Sequence, residues 1–429
     1  MIQNRYQQTS ELLLVFLLFL FSNFTAFLGT IWLRHQLVLI EALLWLILAG
    51  LCIWNLRRHN SLSNYLMILK RNWIILPFFI FSGFSIFWSI SRDISLYRWL
   101  ILLFTIVAGG YIGLRYNLQE IIESLSSFGL WVIFLSLILV LFMPYIGVMN
   151  YHIIQGAWKG IYWHKNHMGL IASFVSILLL INIINSFRLK EKYKFAWVIL
   201  YLFSLLFIFQ TDSVAAYITT LFTNGGIVLA LIWLKFKKAI KKYHYIFFII
   251  ILIFILLILY INIDRFLGIF NRNTTLTGRL PMWSFLYNTY IIKRPIGGYG
   301  FNAFWYIDAN RIAIQQAAGY PDPIVIADNG FIDILVNTGF IGLFLFSIFY
   351  IGAWWRSIKF AWKANSINGF FPLVLLSFTL IANISWSLIF ENESFFMLIM
   401  ITVLFFISKN EAFRETSSLT HSLVEEPIE

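Results

Sequence analysis

Residues 160–186 read GIYWHKNHMGLIASFVSILLLINIINS, and this stretch decides the fold class. A polar group, residues 164–167, stands directly before an apolar run, and residues 167–186 contain no Asp, Glu, Lys or Arg. A helix of about 20 apolar residues crosses the roughly 30 Å hydrocarbon layer of a membrane. The stretch therefore predicts a membrane span, and the polar group at its mouth is either a solvated boundary or a functional site.

The rest of the chain repeats this apolar pattern. Of 429 residues, 60% are hydrophobic and 12% are charged, with a mean hydropathy of +0.82, whereas soluble domains carry about 25% charged residues. The sequence therefore predicts an all-α polytopic membrane protein with about twelve transmembrane helices. We place them near residues 11–33, 37–56, 73–90, 99–114, 128–146, 167–186, 195–211, 213–234, 245–262, 338–355, 371–390 and 394–408.

The net charge is +12, and the positions of the basic residues along the chain indicate the membrane topology. With the N-terminus in the cytoplasm, cytoplasmic segments hold 20 of the 31 Lys and Arg residues. Basic residues in short loops are retained on the cytoplasmic side. We therefore expect cytoplasmic N- and C-termini, a large loop on the outer face, and no nucleic-acid partner.

The predicted organisation has four parts. Residues 1–262 hold helices one to nine, 263–337 form the outer loop, 338–408 hold helices ten to twelve, and 409–429 form a cytoplasmic tail. Loops this long are usually functional or disordered. Because this loop is rich in aromatic residues and glycine, we expect it to fold against the membrane surface.

Two segments of the loop have helical patterns. TGRLPMWSFLYNTYIIKRP (277–295) predicts a short helix with Thr277 as its cap and Pro281 in its first turn. Further on, Asn329, Asp333 and Asn337 are spaced four apart and form one polar stripe. Such a helix lies at the interface or lines a polar cavity before the tenth span.

Several polar residues on the outer side are candidates for chemistry. The Arg279 guanidinium suits a phosphate or diphosphate as a ligand. The alternative is that Arg279 is a solvated surface arginine at the start of a helix. Asp328 is a candidate proton acceptor, or else a turn or cap residue. His164 and His167, with His152 nearby, suggest a metal site, but no fitting carboxylate or cysteine accompanies them, so none is predicted. Inside the second span, Glu41 is expected to face the protein interior.

Four stretches in order carry a resemblance to a known family. They are WSISRDISLYRW (88–99), GIYWHKNHMG (160–169), LTGRLPMW with its continuation RPIGGYGFNAFW (276–305), and DNGFIDILVNTGFIGLFLF (328–346). Together they resemble the O-antigen ligase and exopolysaccharide polymerase superfamily over about residues 85–408. The His-Lys-Asn form is most similar to the exopolysaccharide-production branch.

The resemblance implies an inverting, metal-independent glycosyltransferase of the bacterial inner membrane that uses no cofactor. Its partners would be a glycan donor linked to undecaprenyl diphosphate on the periplasmic face, membrane lipids, and a glycan (polymerase) or lipid A-core (ligase) as acceptor. A chain-length regulator is a candidate protein partner. The implied catalytic residues are Asp328 and Arg279, and the implied substrate-binding residues are Lys165, His164, Asn166, Arg98 and Asn329.

Two departures from the family pattern favour polymerase over ligase. Asp328 stands where ligases carry a histidine, and the hairpin at Ser213 and Val214 lacks the arginine that many ligases have there. Two other classes stay open. A transporter or flippase also needs about twelve helices, but commonly has inverted repeats and polar residues at the membrane midplane. A non-catalytic scaffold would tolerate the loss of Arg279 or Asp328.

Overall fold

The computed structural model describes residues 13–22, 31–150, 155–237, 278–319, 324–389 and 395–424. Residues 13–21 are helical, and most of the remaining described chain is also helical. The helices that follow are α1 (Ile31–Arg58), α2 (Leu62–Arg71), α3 (Leu76–Phe84), α4 (Arg92–Arg115), α5 (Leu118–Phe142), α6 (Lys165–Leu189), α7 (Lys194–Gln210), α8 (Val214–Phe236), α9 (Arg279–Leu286), α10 (Asp308–Ala318), α11 (Gly330–Trp362), α12 (Phe371–Ser385) and α13 (Phe395–Val424).

The prediction of a polytopic helical membrane protein is confirmed. Among the described residues, eight helices are long and apolar enough to cross a membrane, or nine if α2 and residues 73–88, bent by 64°, form one span. The count of twelve is not confirmed. The predicted span 245–262 lies outside the described residues, as do Thr277 and His152, and α7 is a shorter apolar helix of 17 residues.

Among the described helices, α13 and α4 pack against each other most extensively. Glycines of α4 face the α13 backbone: a Cβ at Gly109 would lie 2.8 Å from the Leu398 carbonyl oxygen, and one at Gly113 would lie 2.2 Å from that of Thr402. Small residues let membrane helices approach until their backbones touch. The GGYIG sequence of α4 (109–113) therefore determines how closely these two spans pack.

Basic side chains join several helices at one end of the bundle. Arg356 near the end of α11 bonds Glu411 of α13 at 2.5 Å, and Arg71 at the end of α2 bonds Glu415 at 2.6 Å. The Lys409 ammonium donates to the Leu114 carbonyl at the end of α4. These contacts place the carboxyl ends of α2, α4, α11 and the spanning part of α13 on the same side, where the basic loops of the sequence lie.

The amino-terminal part of α11 lies at the other end and is attached to the loop before it. The Phe340 N–H donates to the Pro295 carbonyl at 2.7 Å, where α11 breaks at Gly339 with φ of 67°. A Cβ at Gly339 would lie 2.2 Å from the Ile296 carbonyl oxygen, so only glycine fits this close, left-handed position. The helix begins at Gly330, ahead of the predicted start of span ten at 338, because it continues through this kink.

Candidate active site

Arg279 and Asp328 form an ion pair on the side of the bundle away from the basic loops. The Arg279 Nε lies 3.1 Å from Asp328 Oδ2, and the two side chains are 18% and 23% exposed. Arg279 is the first residue of α9, and Asp328 lies two residues before α11. Two residues that the sequence analysis singled out separately are thus in direct contact.

The turn at Asp328 positions this carboxylate. Asp328 has φ of 51°, a left-handed conformation that aspartate tolerates better than most residues. Asn329, and not Asp328, caps α11, since its side-chain oxygen accepts from the Phe331 and Ile332 N–H groups. Burial raises the pKa of Asp328 above its usual value, and the charge and hydrogen bond of Arg279 oppose this shift.

Asp333 secures the segment next to Asp328. Its carboxylate accepts from the Trp305 indole N–H at 2.6 Å, from the Ala327 N–H at 3.1 Å, and from the Ser387 hydroxyl. Two residues of the predicted polar stripe, Asp333 and Asn337, therefore hold the loop in place and do not line a cavity. Asp333 and Asn337 are buried at 4% and 3% exposure, and they bond the loop because buried polar groups need partners.

His164 lies within electrostatic reach of Arg279. Its ring stacks on Trp386, with centroids 5.0 Å apart. Burial, together with the positive charges of Lys165 and Arg279, lowers the pKa of His164 to about 3. Nδ1 accepts from the Asn166 N–H at 3.1 Å, so the neutral ring carries its proton on Nε2. His164 can therefore donate a hydrogen bond to a substrate oxygen at neutral pH.

Lys165 has a carboxylate partner of its own. Its ammonium lies 2.8 Å from Asp212 Oδ2 and 2.7 Å from the Asp212 carbonyl oxygen. The Lys165 side chain is only 4% exposed and opens α6, where the helix dipole disfavours a cation. Asp212 compensates this charge from the turn between α7 and α8.

Asn166 and His167, the other two residues of the polar group 164–167, also have partners in this region. The Asn166 side-chain oxygen accepts from the Ser213 hydroxyl at 3.0 Å, and Ser213 caps α8. His167 stacks on Tyr162, with centroids 4.4 Å apart. Among the described residues there is no group of three or more His, Cys, Asp or Glu residues that could hold a metal.

Arg98 is placed differently from the other candidates. It is 5% exposed, and its guanidinium donates to the Tyr306 hydroxyl and lies 4.9 Å from the Tyr97 ring centroid. The Tyr97 hydroxyl in turn donates to Glu41, which is 4% exposed. As expected, Glu41 faces the protein interior. The network joins α1 and α4 to the loop turn at Tyr306.

Sequence reasoning missed two contributors, Asp212 and Trp386. Asp212 and Asp328 share a local signature that was available in the sequence: each is an aspartate immediately before a capping Ser or Asn at the start of a long helix. Both have left-handed φ values, 45° and 51°, and both pair with a cation. Trp386, 1% exposed, follows α12 and had no comparable local signal.

Part of the chain that includes this site matches a known protein family. No curated protein matches the chain significantly. Residues 199–347 match the family model described as O-antigen ligase. The matched region includes Asp212, Arg279 and Asp328, and begins after the His164–Asn166 segment. The resemblance to the O-antigen ligase superfamily is therefore confirmed over residues 199–347.

Proposed function

We propose that the chain is a membrane glycosyltransferase that moves a glycan from undecaprenyl diphosphate onto a sugar acceptor, as a polymerase of O-antigen or exopolysaccharide. The family match supports a membrane enzyme of surface polysaccharide synthesis. The observation that carries the proposal is the Arg279–Asp328 ion pair, with the neutral His164 within electrostatic reach of Arg279. It combines an anion-binding group, a proton acceptor and a hydrogen-bond donor in one place.

The topology supports a reaction on the outer face of the inner membrane. The helix ends near the site are the start of α6, the end of α7, the start of α11 and the end of α12. The basic contacts of Arg356, Lys409 and Arg71 lie at the other end of the bundle. Because basic residues mark the cytoplasmic side, the site faces the periplasm, where the lipid-linked glycan is displayed.

The proposed reaction exchanges one C–O bond for another. The acceptor hydroxyl oxygen attacks the anomeric carbon of the donor from the face opposite the diphosphate, and the bond to the diphosphate oxygen breaks. The hydroxyl proton passes to the Asp328 carboxylate. Undecaprenyl diphosphate leaves with the bonding electron pair, and its negative charge is stabilised by Arg279 and Lys165. The Nε2–H of His164 and the side chain of Asn166 orient sugar hydroxyls.

Before the donor binds, the ion pair gives both Arg279 and Asp328 a partner of opposite charge. A diphosphate is a bidentate acceptor for arginine, so an arriving donor competes with Asp328 for Arg279. Once Arg279 turns to the diphosphate, the Asp328 carboxylate is released to accept the proton. Asn329 holds the turn by capping α11, and its amide donates to the Ile384 carbonyl at 3.2 Å.

A ligase that transfers the glycan to lipid A-core is the second candidate, favoured by the description of the matching family. Deletion of the gene, followed by gel analysis of the surface glycan, separates the two functions. We expect single-repeat glycan on lipid A-core, which indicates a lost polymerase. Long lipid-linked polymer with none on the core would instead indicate a lost ligase. Unchanged glycan would contradict both.

A further inference from the structure

Lys159 belongs to the loop before α6, which backbone hydrogen bonds anchor to neighbouring segments. The Lys159 and Gly160 N–H groups both donate to the Gly147 carbonyl at 2.9 Å. The Trp158 N–H donates to the Gln210 carbonyl at 2.9 Å, which ties the loop to the end of α7. Backbone groups on both sides of Lys159 are therefore fixed before any substrate arrives.

The loop conformation at Lys159 depends on the next residue, Gly160. Gly160 has φ of 58°, and a Cβ there would lie 2.4 Å from the Ser136 side chain. The Ser136 hydroxyl also accepts from the Ile161 N–H at 3.2 Å. Only glycine allows the loop to approach α5 so closely, and this approach determines where Lys159 is presented.

Lys159 is a partly buried cation close to the candidate active site. Burial lowers its pKa, and its positive charge is one of those that lower the pKa of His164. Burying an ammonium ion is unfavourable unless an anion compensates it. Within the parts of the chain that the structure describes, the Lys159 ammonium has no carboxylate partner.

The two other cations around His164 differ from Lys159 in this respect. Lys165 pairs with Asp212 at 2.8 Å, and Arg279 pairs with Asp328 at 3.1 Å. Each of these pairs is neutral overall, whereas Lys159 brings a positive charge to His164 that no carboxylate of the described residues balances. A preorganised, partly desolvated cation is a strong binding group for an anion.

We propose that Lys159 is a further binding residue for the donor, contacting its diphosphate as a third cation beside Lys165 and Arg279. The inference rests on the proposed function, because that function supplies the anion. The role differs from that of Arg279, which must break its ion pair with Asp328 before it binds the diphosphate. Lys159 has no such ion pair to break. Loss of Lys159 should therefore weaken binding of the diphosphate itself.

The test measures binding of undecaprenyl diphosphate, without sugar, to the purified full-length protein in detergent. We expect Lys159→Ala to weaken binding about tenfold, as for one charge-assisted hydrogen bond, and Lys159→Arg to restore most of it. Lys159→Gln replaces the alanine variant if that protein does not elute as a single species. Lys293→Ala, an exposed lysine of the outer loop, is the matched control and should bind normally.

Two results would overturn the proposal. One is normal binding by Lys159→Ala, or by Lys159→Gln where it replaces the alanine variant, while Arg279→Ala binds poorly; this result leaves the proposed function intact. The other is normal undecaprenyl diphosphate binding with weakened binding of phosphatidylglycerol vesicles, which assigns Lys159 to phospholipid headgroups. Normal binding by the Arg279→Ala variant as well would instead contradict the proposed function.

Discussion

Arg279→Ala is expected to lower glycan transfer at least about 100-fold while the protein inserts normally into the membrane. In the proposed reaction the guanidinium stabilises the charge that develops on the leaving diphosphate, and removing one such donor costs about 100- to 1,000-fold. Its partner Asp328 would also be left without a counter-charge. The measurement is the chain length of surface glycan in cells, together with the transfer rate of the purified enzyme.

The matched control is Arg92→Ala. Arg92 lies on the same side of the bundle, is exposed, and makes one long hydrogen bond of 3.4 Å to the Phe87 carbonyl. We expect glycan of normal length from this variant. Arg279→Lys should recover part of the rate, because it keeps the charge but loses the bidentate fork. Glycan of normal length from Arg279→Ala would remove the enzyme assignment.

Asp328→Asn is expected to reduce transfer by about 100- to 10,000-fold, the usual contribution of a positioned general base. The carboxylate accepts a proton only when ionised, so the rate should fall as the pH decreases through the pKa of Asp328. Because burial raises that pKa, the loss begins at a higher pH than for an ordinary aspartate, whose pKa is near 4. Rates measured from pH 4 to 8 show this acid limb.

The asparagine variant should lack the acid limb as well as most of the rate. Asp308→Asn serves as its control, since Asp308 is a well exposed aspartate of the same loop, with 73% side-chain exposure. This variant should retain both the rate and the pH profile of the wild type. A fully active Asp328→Asn enzyme, or an unchanged acid limb, would show that the proton goes elsewhere.

The membrane fold was predictable because its signals are local. Length and apolarity of a single segment are enough to identify a span, so helices such as α6 and α13 follow from composition. The break in α11 was less accessible. It depends on the Ile296 carbonyl approaching Gly339, a contact between residues far apart in the sequence, and no pattern within α11 specifies it.

The residues of the candidate site were predictable from local features of the sequence, but their contacts were not. Arg279 and Asp328 were identified as candidates from their chemistry and from the family resemblance, but their pairing across 49 positions required the fold. Arg98 illustrates the limit more clearly. The family resemblance implied a substrate-binding role for Arg98, and no pattern in the sequence indicated that it is buried against Tyr306, 208 positions away, where it links the bundle to the loop. Side-chain partners are decided by tertiary contacts that residue type alone does not encode.

The most direct test of the account is a structure of the full-length protein in a lipid nanodisc with undecaprenyl diphosphate bound. We expect both phosphates at the outer end of the bundle, with phosphate oxygens within hydrogen-bond distance, about 3 Å, of the Arg279 guanidinium and with the Lys165 ammonium near them. A diphosphate bound instead among the basic residues at the opposite end, or away from Arg279, would contradict it.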